Sequence, residues 1–507
     1  LSECSRFAKR KLALHGLVMA VGLFSAFHPT LLSGFARLQT DPGDTLLNGY
    51  ILEHSWRWLT HPDYAAEFWS PPLFHPQRLV LAYSENLLGT APLYWLLRTA
   101  APPILAYQLW MMLVTGLTYV SFAAVLRRFG VGHLLAALGG FVFAFGLPRV
   151  TQIGHQQLLP HLFAPWAVLA AWTFLQRPAV GSFAGLLAAT FGQLLASIYL
   201  GWFLLVGLAI FAAIVVVSNG EIRHSLMEFI RRRWPTVVGL VAAWLGLVAL
   251  LMAPYREANR GFRRDYAEVL ALTPRTADWL ATAPQSVWHK RLPIRVREAV
   301  SELWIFPGVV PLAVAGWGLA AGALSRKRPF VITAVVLALL AMRFGDWTAW
   351  RAVYRWAPGG DGIRAVGRVV FTIELFALIG GLVVLDTVLR QVRLGKGIAG
   401  LLLVLGIAEQ APVRELPSFE VAPWKTRVAT LRDRLTPGTV AYIELPPDRP
   451  YWEGQVTAMW AGLEANVPVV NGYSGRYPPD YPDWTRSMTA AELTEWMHGA
   501  PVVRIGK

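Results

Sequence analysis

Long apolar runs recur along this chain, broken by short polar or basic stretches. They centre on residues 12–34, 104–126, 131–148, 158–176, 179–198, 200–218, 236–254, 305–324, 329–344, 368–389 and 397–411. A helix needs about 20 mostly apolar residues to cross a bilayer. The pattern therefore predicts a membrane all-α fold with about eleven transmembrane helices. A shorter run, 87–101, reads as a re-entrant or interfacial piece. The first run follows a basic flank in "RFAKRKLALHGLVMAVGLFSAFHPTLLSG". It is too long for a signal peptide and lacks a small-residue cleavage site, so it reads as a retained first span. Beyond the first run, "DTLLNGYILEHSWRWL" places Leu47, Ile51 and Trp58 at helical spacing. An amphipathic helix lying in the membrane interface is expected there.

Composition agrees with the pattern. Of the 507 residues, 55% are hydrophobic and 15% charged, against about a quarter charged in soluble proteins. Mean hydropathy is +0.43. The net charge of +15 fits basic loops retained on the cytoplasmic side, and no nucleic-acid-binding motif accompanies it. The single cysteine, Cys4, excludes an internal disulfide and a cysteine-based zinc site.

Lys9-Arg10-Lys11, Arg127-Arg128, Arg177, Arg231-Arg232-Arg233, Arg326-Lys327-Arg328 and Arg390/Arg393/Lys396 fall on one side if the N-terminus is cytoplasmic. Segments 35–103, 149–157, 255–303 and 345–367, and the region from 412, then lie outside. Segment 256–297 is basic yet outside, as long loops allow. The expected organisation is a membrane module, 1–411, and a small mixed α/β domain outside, 412–507, carrying the strand-like "TVAYIEL" and "VPVVNGYSG".

The outer segments hold the candidate chemistry. "DPGD" supplies Asp41 and Asp44, "YSENLLG" supplies Glu85, and "TQIGHQQ" supplies His155. Each has a structural reading beside the functional one: Asp44 suits a helix N-cap, Asp41 a turn and Glu85 a first helical turn. His161 reads as a structural helix residue. Carboxylates suit Mg²⁺ or Mn²⁺, so Asp41 and Asp44 are the candidate metal ligands, without a fixed ligand spacing. In "GGDGIRAVGRVVF", Arg364 and Arg368 would share one face of a helix. Paired guanidinium groups at headgroup depth suit a phosphate, or snorkel to the interface. Glu374, deeper in the same span, should face protein or a watery cavity. Trp56, Trp58 and Trp69 are interface anchors or sugar-stacking residues.

Taken together, "DPGDTLLNGYILEHSWRWL", "FHPQRLVLAYSENLLG", "FAFGLPRVTQIGHQQLLPHLFAPW", "ELWIFPGVVPL", "IRAVGRVVF" and "PVVNGYSGRYPP" resemble a bacterial group of GT-C-type membrane glycosyltransferases. The resemblance runs along nearly the whole chain. It implies a sugar donor carried on polyprenyl phosphate, an acceptor in the cell envelope, and a catalytic carboxylate in the first outer loop, best matched by Asp44 and next by Asp41. Glu85 and His155 complete the expected catalytic set, and Arg364 and Arg368 the donor-phosphate set. The chain departs from the family in spacing: "DPGD" separates its acids by two residues rather than one. The resemblance further implies the bacterial plasma membrane, with no nucleic acid partner. A flippase of lipid-linked saccharide and a non-catalytic envelope scaffold are the alternatives.

Overall fold

The computed structural model describes residues 2–64, 66–292, 301–321 and 327–506. Residues 322–324 of one expected span, Arg326, and residues 293–300 of the third outer segment lie outside the described residues.

The chain is mostly helical. Helix α1 is Ser2–Leu32, followed by strand β1, Arg37–Leu38, then α2, Asp44–Thr60, α3, Ala91–Arg98, and α4, Pro103–Arg128. Helices α5, His133–Phe145, and α6, Leu147–Val150, lead into the loop that carries His155. After it come α7, Ala164–Gln176, α8, Val180–Ala196, α9, Ile198–Ser218, α10, Gly220–Ala258, and the short α11, Tyr266–Ala271. Helices α12, Val309–Ala321, and α13, Arg328–Leu340, precede a hairpin of β2, Arg343–Phe344, and β3, Trp347–Thr348. Helices α14, Trp350–Trp356, α15, Val370–Leu389, and α16, Gly395–Gln410, complete the bundle. The C-terminal region adds β4, Phe419–Glu420, α17, Val421–Arg432, β5, Ala441–Ile443, α18, Tyr451–Ala465, α19, Ala490–Trp496, and β6, Val503–Ile505.

Every apolar run expected to span contains a helix. Among the described residues, 6 helices are long and apolar enough to cross a membrane. The others are shorter. Helix α7 shows why: the run 158–176 contains Pro160 and Pro165, which lack an amide hydrogen. Regular helix begins only at Ala164, after a 3₁₀ turn at Gln156–Leu158, so the loop between α6 and α7 is longer than its apolar sequence suggests. Helix α10 runs the other way: it extends N-terminally of the expected 236–254, with a kink at Arg233 next to Pro235.

The expected interfacial helix exists as α2 but does not lie on a surface. Residues Thr45–Ser55 are all buried, because α3, α4 and the C-terminal region cover them. The Trp460 indole N–H of α18 donates to the Leu46 carbonyl at 3.0 Å. Its ring stands edge-on to Tyr50 at 6.0 Å, and Arg57 donates to the Leu463 carbonyl at 2.7 Å. Strand β4 pairs antiparallel with β1, and residues 72–75, between α2 and α3, exchange backbone hydrogen bonds with 469–471. The C-terminal region contains the expected mix of helix and strand, with β5 and β6 paired in parallel, and one hydrophobic core runs from the bundle into it.

A buried ionic cluster fixes α2. The Glu53 side chain is 0% exposed and accepts from Arg57 at 3.1 Å and Arg98 at 2.8 Å, and from the Tyr94 hydroxyl at 2.8 Å. Removing one member of such a cluster leaves buried charge uncompensated. Glu53→Ala is expected to destabilise the fold by about 3–5 kcal/mol, measured as a lowered midpoint of thermal unfolding in detergent. A change within error would show that the cluster does not anchor α2.

Candidate functional site

The segments expected outside converge at one end of the bundle, and Asp44 is at their junction. Asp44 is the first residue of α2, and Gly43 occupies the N-cap position without a side-chain cap. The Asp44 carboxylate is therefore not spent on the helix. Its Oδ2 lies 2.7 Å from His155 Nδ1, and its Oδ1 accepts from the Tyr473 hydroxyl at 2.8 Å. Three segments more than a hundred residues apart thus meet on one side chain. Burial would raise the Asp44 pKa. The hydrogen bond and charge of His155, the Tyr473 hydroxyl and the charge of Arg368 outweigh it, and hold the carboxyl below its ordinary value.

The loop that carries His155 is braced on both sides. Gln156 donates to Thr45 Oγ1 at 2.7 Å and Asn48 to Gln157 at 3.0 Å, which laces it to α2. Arg149, buried in α6, donates to the carbonyls of Phe143 and Leu158 and meets His161 Nδ1 at 3.1 Å. His161 is buried beneath this loop, but it precedes α7 rather than lying in a helix as expected. Gly154 lets this loop close on the first: a Cβ there would lie 2.7 Å from Thr40 Oγ1.

Asp41 serves Asp44 indirectly. Its Oδ1 accepts from the Gly43 N–H at 2.8 Å and its Oδ2 from the Thr40 hydroxyl at 3.1 Å, a turn that delivers the chain into α2. Glu85 sits elsewhere. It accepts from the backbone N–H groups of Ile198 at 2.6 Å and Tyr199 at 3.1 Å, and from the Ser197 hydroxyl at 3.2 Å. A carboxylate there completes orphan donors at the positive end of α9. Its geometry is that of a helix cap, not of a base directed at Asp44.

Arg364 and Arg368 do not share a helical face. Residues Val366–Val369 form a 3₁₀ turn and α15 starts at Val370. The backbone N–H groups of Arg364 and Ala365 both donate to the Tyr199 hydroxyl, at 2.7 and 3.0 Å. The Arg364 guanidinium is partly exposed, 3.6 Å from Glu268 and 3.7 Å from Glu302. Arg368 is only 6% exposed. Its guanidinium lies over the Tyr199 ring at 5.1 Å. No hydrogen-bond acceptor meets its Nε among the described residues, and Thr372 Oγ1 is likewise buried and unpartnered. The carboxyls of Asp44, Glu85 and Glu302 all feel the Arg368 charge. Glu374 is buried facing the charge of Arg149, and its Oε1 is unpartnered among the described residues.

The sequence reading missed Tyr473, Glu302 and Tyr199. Glu302 lies 3.9 Å from His155 Nε2, on the side opposite Asp44. Burial raises its pKa, but its own backbone N–H and the charges of His155, Arg368 and Arg364 bring it below the ordinary value. The only sequence signal for Tyr473 and Glu302 was their presence inside "PVVNGYSG" and "ELWIFPG", and Tyr199, inside "ASIYLGW", had none. Trp58 and Trp69 pack edge-on to Phe68, and Trp69 also to Tyr255. The segment after α10 also reaches the site, through Glu268 on Arg364.

The expected metal ligands were Asp41 and Asp44. Among the described residues no group of three or more His, Cys, Asp or Glu side chains is arranged to hold a metal ion. Each of these carboxylate oxygens accepts one of the hydrogen bonds given above, and among the described residues no third carboxylate or imidazole joins the two acids as a ligand set.

No family model matches the chain, and no curated protein matches it. Several solved structures are similar to it. ArnT from Cupriavidus metallidurans in the apo state is similar at 11% identity and a TM-score of 0.48, over 99% of this chain and 93% of that one. AglB, the oligosaccharyltransferase of Archaeoglobus fulgidus, in complex with an inhibitory peptide and a dolichol-phosphate, is similar at 11% identity and a TM-score of 0.47, over 90% of this chain and 64% of that one. The apo form of an oligosaccharyltransferase from the same organism gives 11% identity and 0.46 over the same shares, 90% and 64%.

The cap geometry of Glu85 separates it from Asp44 experimentally. Glu85→Ala strands buried backbone donors and is expected to destabilise the fold by about 1–3 kcal/mol. Asp44→Asn keeps acceptor and shape and is expected to unfold close to the parent. Thermal unfolding of both in one detergent checks this, and equal behaviour of the two would contradict it.

Proposed function

We propose that this chain is a GT-C-type membrane glycosyltransferase that moves a sugar from a polyprenyl-phosphate donor to an envelope acceptor. The reaction is placed at the outer face of a bacterial plasma membrane, with the N-terminus cytoplasmic and the C-terminus outside. The observation that carries this reading is Arg368. It is a nearly buried guanidinium whose Nε meets no acceptor among the described residues, and its charge reaches the carboxylate held by His155 and Tyr473. A buried arginine without its full set of acceptors is costly. A donor phosphate supplies both the acceptors and the opposite charge. The resemblance of the outer-loop segments to the family supports the same assignment.

The chemistry follows from the positions. Asp44 is the general base. It takes the proton of the acceptor hydroxyl as that oxygen bonds to the anomeric carbon. The bond from that carbon to the phosphate oxygen breaks, and its electron pair leaves on the lipid phosphate. Arg368, and Arg364 nearer the surface, stabilise the charge that develops there. Direct displacement inverts the anomeric carbon. Because its pKa is held low, Asp44 is ionised at neutral pH.

The remaining groups position these. Glu302 lies against both His155 and Arg364 and so ties the base to the phosphate site. Glu85 caps α9 at Tyr199, whose hydroxyl holds the backbone of Arg364 and whose ring underlies Arg368. Asp41 sets the turn before Asp44. No step is routed through a metal ion.

Native mass spectrometry of the protein purified in mild detergent tests the phosphate site. A polyprenyl-phosphate sugar is expected to co-purify with the parent and to be lost from Arg364→Ala/Arg368→Ala. Ordinary phospholipid alone, equal in both, would count against the donor site.

The pH dependence tests the base. The depressed Asp44 pKa puts the acidic limb of activity below the ordinary carboxylate value of about 4. His155→Gln removes the largest lowering influence and is expected to move that limb to higher pH. A limb that stays in place would separate His155 from the titrating group.

A further inference from the structure

At the opposite end of the bundle from Asp44, two adjoining cavities meet at a tryptophan. Tyr107, near the start of α4, lies close enough to Asp44 to feel its charge, and Arg128 ends the same helix. At 1.5 Å per residue the two ends are roughly 30 Å apart.

The first cavity, about 290 Å³, is lined by Arg128, Arg177 and Lys327 with Trp172 and Phe129, and among the described residues no carboxylate lines it. The Lys327 ammonium lies 3.9 Å from the Trp172 ring centre and 4.8 Å from that of Phe129. The second cavity, about 440 Å³, shares Trp172 and Gln176 with the first. Much of its wall is apolar, including Ile214, Val215, Ile222 and Ile332, with Ser218, Asn219, Glu221 and Arg328 also lining it.

We propose that this pair of cavities binds one anionic phospholipid of the leaflet at that end. Its headgroup phosphate sits among Arg128, Arg177 and Lys327, and its glycerol and first acyl carbons pass Trp172 into the second cavity. Each half has its own reason. Basic pockets between membrane helices recognise phosphate headgroups, and guanidinium groups hold phosphate oxygens in pairs. A free phosphate ester would use only the first cavity. The shared aromatic wall and the apolar continuation call for a ligand that is charged at one end and hydrocarbon at the other. Burial lowers the Lys327 pKa to about 8, so a neighbouring phosphate would favour its charged form. Snorkelling alone would place the three cations in headgroup water, but would not gather them around one cavity.

The test uses the full chain, delipidated in detergent. Its thermal midpoint is titrated with phosphatidylglycerol, with phosphatidylcholine of the same chains, and with glycerol 3-phosphate. Phosphatidylglycerol is expected to raise the midpoint saturably, and the other two to have little effect. Arg128→Gln/Arg177→Gln is expected to weaken apparent binding roughly tenfold or more. Arg393→Gln/Lys396→Gln, which removes exposed charges elsewhere, should stay within about twofold of the parent. Equal response to both lipids, or unchanged binding in the Arg128/Arg177 variant, would overturn the proposal. A full response to glycerol 3-phosphate would identify a free phosphate ester instead. If the Arg128/Arg177 variant does not fold, the comparison of lipids on the parent still decides.

Discussion

The contact on which the candidate-site end of this protein depends is the Asp44 carboxylate held between His155 and Tyr473. Those two residues come from the loop between α6 and α7 and from the C-terminal region, and the carboxylate from the first turn of α2. The turn made by Asp41 and the close approach at Gly154 bring the loops together. The cover of α18 over α2, through Trp460, fixes the third partner. A low carboxyl pKa is then a consequence of assembly, since two of the groups that lower it arrive only when distant segments dock.

Polar groups in so apolar a chain are costly to bury, and their uses here divide cleanly. Some close backbone accounts. Glu85 caps α9, and Glu409 takes the N–H groups of Val309 and Val310 at the start of α12 together with the Trp288 indole. Some anchor elements, as Glu53 does with Arg57, Arg98 and Tyr94. Arg368 does neither. Its Nε lacks an acceptor among the described residues and its charge is balanced at a distance. A buried cation in that condition is suited to an anionic ligand more than to stability.

Hydrophobic period located the helices, because every expected run holds one, although among the described residues 6 rather than about eleven are long and apolar enough to cross a membrane. It read boundaries less well where proline intervened, as at Pro160 and Pro165. It took α2 for an interfacial helix because Leu47, Ile51 and Trp58 share a stripe, while the cover over its other faces comes from residues some 400 positions away. Asp44 and His155 were legible as candidates, and the structure brings them together. Glu85 was an equally good candidate by type, and only its three donors assign it to a cap. Arg364 and Arg368 were read on one helical face, but a 3₁₀ turn separates them. Tyr473, Glu302 and Tyr199 have common residue types in apolar settings, so nothing local marked them.

The most direct measurement compares donor turnover by the parent with that of Asp44→Asn, with bound lipid followed in the same samples by mass spectrometry. The account predicts that the variant retains the polyprenyl-phosphate sugar while release of the lipid phosphate falls by about 10²-fold or more. Turnover within about twofold of the parent, with the fold intact, would contradict Asp44 as the base.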